Sequence, residues 1–359
     1  MDLEQLHLLL STGVKHGASD IHFRVGDAPI YRVRGQLVPL KYDKLRPADT
    51  EAICRLILGD PQIVEQLATI QEHDTSYSVA SVARFRVNIH RQRGSLSLVL
   101  RIIPSHVPTI EELGLPPVVA KIAEEERGLV LVAGATGSGK SSTLAAMINH
   151  INATRRVHIL TIEDPIEFLH KNNQASVTQR EIGADTRSFN VALRAALRMD
   201  PDVILVGEMR DPESIDIALK AAETGHVVFS TVHTTDAAKT VNRLLSAFPS
   251  DEQDGVRIRI AENLRGTVSQ RLLPRADGRG RVVALEIMVT TGMIQELIRD
   301  PSKTAAMRDA IEKGRSQYGM QSFDQHLVDL YQAGAITIDT AIAACTNRGD
   351  FERALHFTA

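Results

Sequence analysis

The stretch LVLVAGATGSGKSST, residues 129–143, decides the fold. Leu129, Val130, Leu131 and Val132 form a short apolar run, as a buried strand does, and a helix follows from about Ser141. Between them, Gly134-Ala135-Thr136-Gly137-Ser138-Gly139-Lys140-Ser141 matches GxxxxGK[ST] in the strand-then-helix context that the motif requires. Glycines permit the tight turns that aim backbone N–H groups at a phosphate. The helix N-terminus adds partial positive charge. Lys140 is placed to reach β- and γ-phosphates, and the Ser141 hydroxyl to reach Mg²⁺. Ser142 and Thr143 continue the first helical turn, where hydroxyls also bond phosphate. The stretch therefore implies ATP and Mg²⁺ as ligands.

Downstream, short apolar runs alternate with helical stretches. RVHILTI precedes a helix near 188–198, DVILVG one near 212–223, and HVVFSTV one near 236–246. Near-continuous apolar strands separated by helices predict a parallel sheet covered on both faces. From about residue 292 the pattern is mainly helical and ends in a polar, mobile tail.

Upstream the pattern differs. Residues 3–15 have helical spacing, and Ile21, Phe23 and Val25 alternate with His22 and Arg24. PIYRVRGQLVPL reads as a strand or hairpin, residues 47–70 as a helix, and 77–103 as alternating strands. Pro104, Pro108, Gly114, Pro116 and Pro117 then crowd a connecting segment. The expected organisation is a small α+β domain over 1–100 and a linker over 101–115. An α/β P-loop core over 116–290 and a helical region over 291–359 follow.

A chain of 359 residues with net charge -3 lacks the basic excess of most nucleic-acid-binding domains. Aromatics are 4% and Trp is missing, so stacking platforms for single strands are scarce. No nucleic-acid partner is expected. Apolar runs fall short of a bilayer span, so no direct membrane insertion is expected. Cys54 and Cys345 make no CxxC pair, which fits a reduced cytoplasmic setting.

Two acidic strand ends could serve a triphosphate. HILTI leads into Glu163 and Asp164, and DVILV leads through Gly207 to Glu208. Both would lie at the carboxyl edge of a parallel sheet, where ligands bind. Glu208 is assigned to Mg²⁺ through water, with Gly207 letting the backbone pass close to the phosphate loop. Glu163 is the candidate to orient or deprotonate the attacking water, although spacing alone is equally compatible with an exposed strand-end acid. Asp164 would shape the site or hold a cation, and Glu167, past Pro165, would be structural. His233, among Thr231, Thr234 and Asp236, could donate to a γ-phosphate. On spacing alone it could equally be a satisfied structural histidine, and His226 sits at the opposite end of the same strand. Arg84 and Arg86 alternate, so both project from one strand face; Arg101, Arg194, Arg198 and Arg210 complete the arginine supply.

The ordered motifs ASDIH, RFRVN, EELGLPPVV, GATGSGKS, TIEDPIEF, QREIGADTRSF, ALRMDPDVILVGEMRD, AAETGH, STVHTTDA, SQRLLP, GRGRVVALEIM and GMQSFDQHL span nearly the whole chain. In this they resemble the PilT family of type IV pilus retraction ATPases, within the secretion ATPase superfamily. The resemblance implies a PAS-like N-terminal domain and a RecA-like ATPase domain in a homohexameric ring. It makes TIEDPIEF an Asp box with Glu163 as catalytic glutamate, DVILVGEMRD a Walker B strand, and STVHTTDA a His box. It likewise brings His226 and His233 into the site, and it implies that Arg84, Arg86 and Arg101 close on the phosphates as domains rotate. That rotation would work on an inner-membrane platform protein (PilC-like), placing the cytoplasmic ring at the membrane through its partner. Position 135 is Ala where many relatives have Pro. Residues 306–313, AMRDAIEK, keep Ala306, Arg308 and Ile311 of the family's AIRNLIRE signature but change most of the rest. An accessory, PilU-like motor is therefore a standing alternative. A type II secretion or pilus extension ATPase fits less well, because the chain lacks that group's longer N-terminal region and four-cysteine zinc motif.

Overall fold

The computed structural model describes residues 1–104, 106–349, 351 and 355. The polar chain end expected to be mobile lies outside them, apart from Phe351 and Leu355. The chain divides into two compact units, residues 1–106 with 167–169 and residues 107–166 with 170–359.

In the first unit, α1 (Leu3–Lys15) is followed by β1 (Ala18–Phe23), β2 (Ile30–Val33) and β3 (Gln36–Pro39). Then come α2 (Pro47–Leu58), α3 (Pro61–Glu65), β4 (Glu72–Val79), β5 (Ala83–Gln92) and β6 (Ser95–Ile102). The sheet order is β3-β2-β1-β6-β5-β4, antiparallel throughout. Phe85, Val87 and Ile89 alternate inward from β5 onto a core shared with Leu6 and Leu10 of α1 and Ile53 and Ile57 of α2. The single helix expected over 47–70 is corrected. Gly59, at φ 64, ends α2 by donating to Arg55 O, and Asp60 with Pro61 starts a separate short helix.

The second unit opens with α4 (Val118–Ala123), β7 (Gly128–Ala133), α5 (Lys140–Thr154), β8 (His158–Glu163) and β9 (Ser176–Glu181). It continues through α6 (Phe189–Ala196), β10 (Val203–Val206), α7 (Pro212–Glu223), β11 (Val227–Val232), α8 (Ala237–Leu245) and α9 (Gln253–Asn263). A hairpin of β12 (Leu264–Pro274) and β13 (Arg281–Val289) precedes α10 (Gly292–Arg299), α11 (Met307–Lys313), α12 (Arg315–Tyr318), α13 (Phe323–Gln332) and α14 (Ile338–Ala344). The sheet order is β13-β12-β7-β11-β10-β8-β9, parallel except for β12–β13.

Two-sided burial explains the continuous apolar strands. Along β7, Leu129 and Leu131 enter a core shared with α6, α7 and α8, while Val130 and Val132 enter another shared with α4 and α5. Ile204 and Val206 divide from Val203 and Leu205 in β10 in the same way. The α/β class is as expected, with three strands beyond those read from the pattern. In β9 only Glu181 is fully buried, so this edge strand shows no apolar run. The β12–β13 hairpin buries Thr267, Ser269, Gln270 and Glu286, which breaks any hydrophobic periodicity. Among the described residues no helix is long and apolar enough to cross a membrane.

Phe229, fully buried at the centre of β11, packs into the core beneath α5. Phe229→Ala should cost about 3–5 kcal/mol of stability. Urea unfolding of the full chain should show an earlier transition, and an unmoved transition would refute this assignment of the core.

Candidate functional site

Parallel register gathers the ends of β7, β11, β10 and β8 on one edge of the sheet. Val232 pairs with Ala133, Val206 with Ser230, and Ile162 with Val206. Residues 134, 233, 208 and 163 therefore leave the sheet on the same side.

The loop after β7 closes on itself. Gly134, at φ 153, leaves no room for a side chain: a Cβ there would lie 2.4 Å from Ser138 Oγ and 2.7 Å from Gln270 O. Gly134 N donates to Val232 O (3.2 Å), tying the loop to the root of His233. Residues 135–137 arch outward, exposed, whereas Ser138 and Lys140 are buried. Lys140 Nζ donates to Gly134 O (2.9 Å) and Ala135 O (3.1 Å), so the loop wraps its ammonium. Ser141 and Ser142, half-buried, stand in the first turn of α5. Ser138 Oγ is buried with no hydrogen-bond partner among the described residues. A tight turn at Gly134 that excludes any side chain, an enclosed cation and a spare buried hydroxyl fit a polyphosphate.

Glu208 sits two residues past β10. It accepts from Arg210 (2.6 Å), and His233 Nε2 lies 3.4 Å away. Burial pushes its carboxyl up, but the Arg210 hydrogen bond and the positive charges of Arg210, His233 and Lys140 outweigh burial and leave it below the ordinary glutamate value. Arg210 is held above its usual value, chiefly by Glu208 and also by the charge of Asp164. Gly207 corrects one expectation: a Cβ there would meet Ile162 O, Glu163 Cα and Phe189 at the end of β8, and β11 stands between β10 and the strand that carries the phosphate loop. Its own carbonyl accepts from Thr231 Oγ1 at 2.7 Å.

Glu163, the last residue of β8, accepts from Thr161 Oγ1 (2.7 Å) and Gln179 Nε2 (3.1 Å). β8 stands three strand spacings from β7, on the order of 14 Å, so Glu163 roots beside Glu208 rather than beside the loop. Next to it, buried Glu181 accepts from Ile166 N (3.1 Å) and pins the turn that follows the cis Asp164–Pro165 bond. Beyond His233, Asp236 caps α8, and Glu286 accepts from Ala237 N at 2.8 Å. Burial pushes the Glu286 carboxyl up to about 7.

Other sequence-predicted residues lie elsewhere. His226 stands at the amino end of β11, with Nδ1 near Ala221 O (3.0 Å) and Thr224 Oγ1 (3.2 Å) at the end of α7. Within one chain it does not join the cradle. Arg194 forms a close ion pair with Glu213, and Arg198 donates to Arg194 O. In the first unit, Arg84 donates to Ser76 and Ser78, Arg86 pairs with Arg101 across β5–β6, and Arg101 Nε donates to Asp20 (3.0 Å). These three arginines share one face of that unit's sheet. Gln179, Glu181 and Gln270 were missed as contributors: each is a polar residue in a strand, with no spacing signal of its own.

Fold and site together define a P-loop ATPase of the doubly covered parallel-sheet class. Residues 3–338 match the family described as "Type II/IV secretion system protein", and the chain belongs to that family. It is 47% identical to the type IV pilus retraction ATPase PilT of Pseudomonas aeruginosa, over 95% of this chain and 97% of that one. To the type IV pilus ATPase PilU of the same organism it is 38% identical, over 98% and 90%. A crystal structure of the pilus retraction motor PilT with bound ADP superposes with a TM-score of 0.88 at 42% identity, covering 96% of this chain and 98% of that one.

Because Glu208 is favoured as carboxylate, its interactions stabilise the folded chain above its unfolded value. That contribution disappears as pH falls through its depressed folded value. In Arg210→Ala, burial meets less opposition, and the Glu208 carboxyl should titrate at higher pH. Carboxyl ¹³C shifts followed across the acid range would read the change, and an unmoved titration would contradict the role given to Arg210.

Proposed function

We propose that this chain is an ATP-hydrolysing motor that powers type IV pilus retraction as a homohexamer, acting on an inner-membrane platform protein from the cytoplasmic side. The observation that carries the reading is the single sheet edge from which Lys140, His233, Glu208 and Glu163 all emerge, in a chain colinear with PilT. Gly134, Ala135, Thr136, Gly137, Ser138, Gly139 and Lys140 would hold the phosphates of ATP, with Ser141 and Ser142 at the start of α5. Ser141 and Glu208 would hold Mg²⁺. Among the described residues no group of three or more His, Cys, Asp or Glu could hold a metal ion. Mg²⁺ commonly binds through one or two protein groups and otherwise keeps water and substrate phosphates. Bound Mg²⁺ would neutralise charge on the phosphates. His233 would contact the γ-phosphate, and Glu163 would orient or deprotonate the attacking water. Arg84, Arg86 and Arg101 would add positive charge as the domains rotate, and His226 would act across the ring. Neither nucleic acid nor direct membrane insertion enters the cycle.

A second reading, an accessory PilU-like motor, rests on the divergence of AMRDAIEK, which keeps only Ala306, Arg308 and Ile311 of the retraction signature and changes most of the rest. Deleting the gene separates the two. Pili that persist without retracting support the principal reading, and retained retraction supports the accessory one.

Glu163→Gln should lower ATP turnover by about 10²–10⁴-fold while ADP binding is retained. Steady-state phosphate release together with calorimetric ADP titration would test this, and equal turnover in variant and wild type would sink the motor reading.

A further inference from the structure

Gln270 is 2% exposed on β12, outside the residues given a role in ATP chemistry. Parallel pairing of Ser269 with Ala133 sets it beside Gly134. It then meets the phosphate loop twice. Its backbone O lies 2.7 Å from where a Gly134 Cβ would be, and its Nε2 donates to Ser138 O at 2.7 Å. The same nitrogen would stand 3.2 Å from a Cβ on Gly139, itself at φ 91.

A planar trans peptide points its C=O and the following N–H in opposite directions. A hand on Ser138 O therefore aims Gly139 N–H. Drawn toward Gln270, the carbonyl turns that N–H to the side away from β12. We propose that Gln270 is a positioning residue for the nucleotide: its amide fixes the Ser138–Gly139 peptide so that Gly139 N–H faces a bound phosphate. The inference rests on reading residues 134–141 as the phosphate cradle.

The side chain is a mixed contributor to stability: its Nε2 bond to Ser138 O favours the fold and its other amide atom opposes it. Gln270 Oε1 is buried with no hydrogen-bond partner among the described residues, which is costly. A methionine of similar length would remove that unpaired acceptor but also the donor to Ser138 O, so the two effects on stability oppose each other.

The test uses the full chain as wild type, Gln270→Met, Gln270→Glu and Lys140→Ala. ADP affinity with Mg²⁺ is measured by calorimetry, ATP turnover by phosphate release, and the thermal midpoint without nucleotide. Gln270→Met should bind ADP about tenfold more weakly and raise the KM for ATP by a similar factor. Its kcat should stay near wild type and its midpoint should move little, because the lost bond to Ser138 O offsets removal of the unpaired Oε1. Gln270→Glu, which cannot donate when ionised and adds negative charge, should bind more weakly still; it carries the same test if Gln270→Met yields no folded chain. Wild-type ADP affinity in both variants would overturn the inference alone. A joint fall in kcat and thermal midpoint with unchanged KM would also overturn it, marking a purely structural residue. Wild-type chain that binds ADP no better than Lys140→Ala would overturn the cradle reading and this inference with it.

Discussion

Strand β7 is hydrogen-bonded on both edges, to β11 and β12, and buried along its whole length. The site hangs from that constraint. A one-residue slip would exchange Leu129 and Leu131 with Val130 and Val132 between two differently lined cores. Packing on both faces thus locks the register, and the register in turn fixes where each loop leaves the sheet. Gly134 N reaching Val232 O, and Gln270 lying beside Gly134, are direct results. The chemistry sits on short loops, but their roots cannot move without unpacking the core.

The two principal acids are held by different physics. Glu208 is partly buried and gains its ionised form from cations: Arg210 in contact, with His233 and Lys140 nearby. Glu163 gains a hydroxyl from its own strand and an amide from β9. An arginine partner supplies opposite charge that a bound metal could replace; neutral donors restrain direction without changing net charge. Their adjacency, through β8–β10 pairing, lets Arg210 and Asp164 belong to one electrostatic cluster.

Much of this was legible in the sequence where the signal was local. The glycines of residues 134–139 are demanded by backbone shape, and the apolar runs of β7, β10 and β11 by burial on both faces. The helix over 212–223 carries its own punctuation, Asp211 as cap and Pro212 in the first turn. What was not legible was non-local. Gln270 follows β7 by more than a hundred residues, and its role exists only because β12 pairs there. Polar β9 becomes a strand by adding to the edge of β8, not through any pattern of its own. Gly207 looked like a point of approach to the phosphate loop because β11, inserted between β7 and β10, leaves no trace in the order of the motifs.

The same topology bears on the two histidines. His226 and His233 flank β11 at opposite ends, and six residues at about 3.3 Å each put roughly 20 Å between them. They cannot serve one phosphate within one chain. His233 stands beside Glu208 at the carboxyl edge, whereas His226 contacts the end of α7, where its ring helps close the turn into β11. A part for His226 in nucleotide chemistry therefore demands a second copy whose cradle faces the amino edge of this sheet. A closed ring of head-to-tail subunits, in which unlike surfaces meet at every interface, is an arrangement that supplies one.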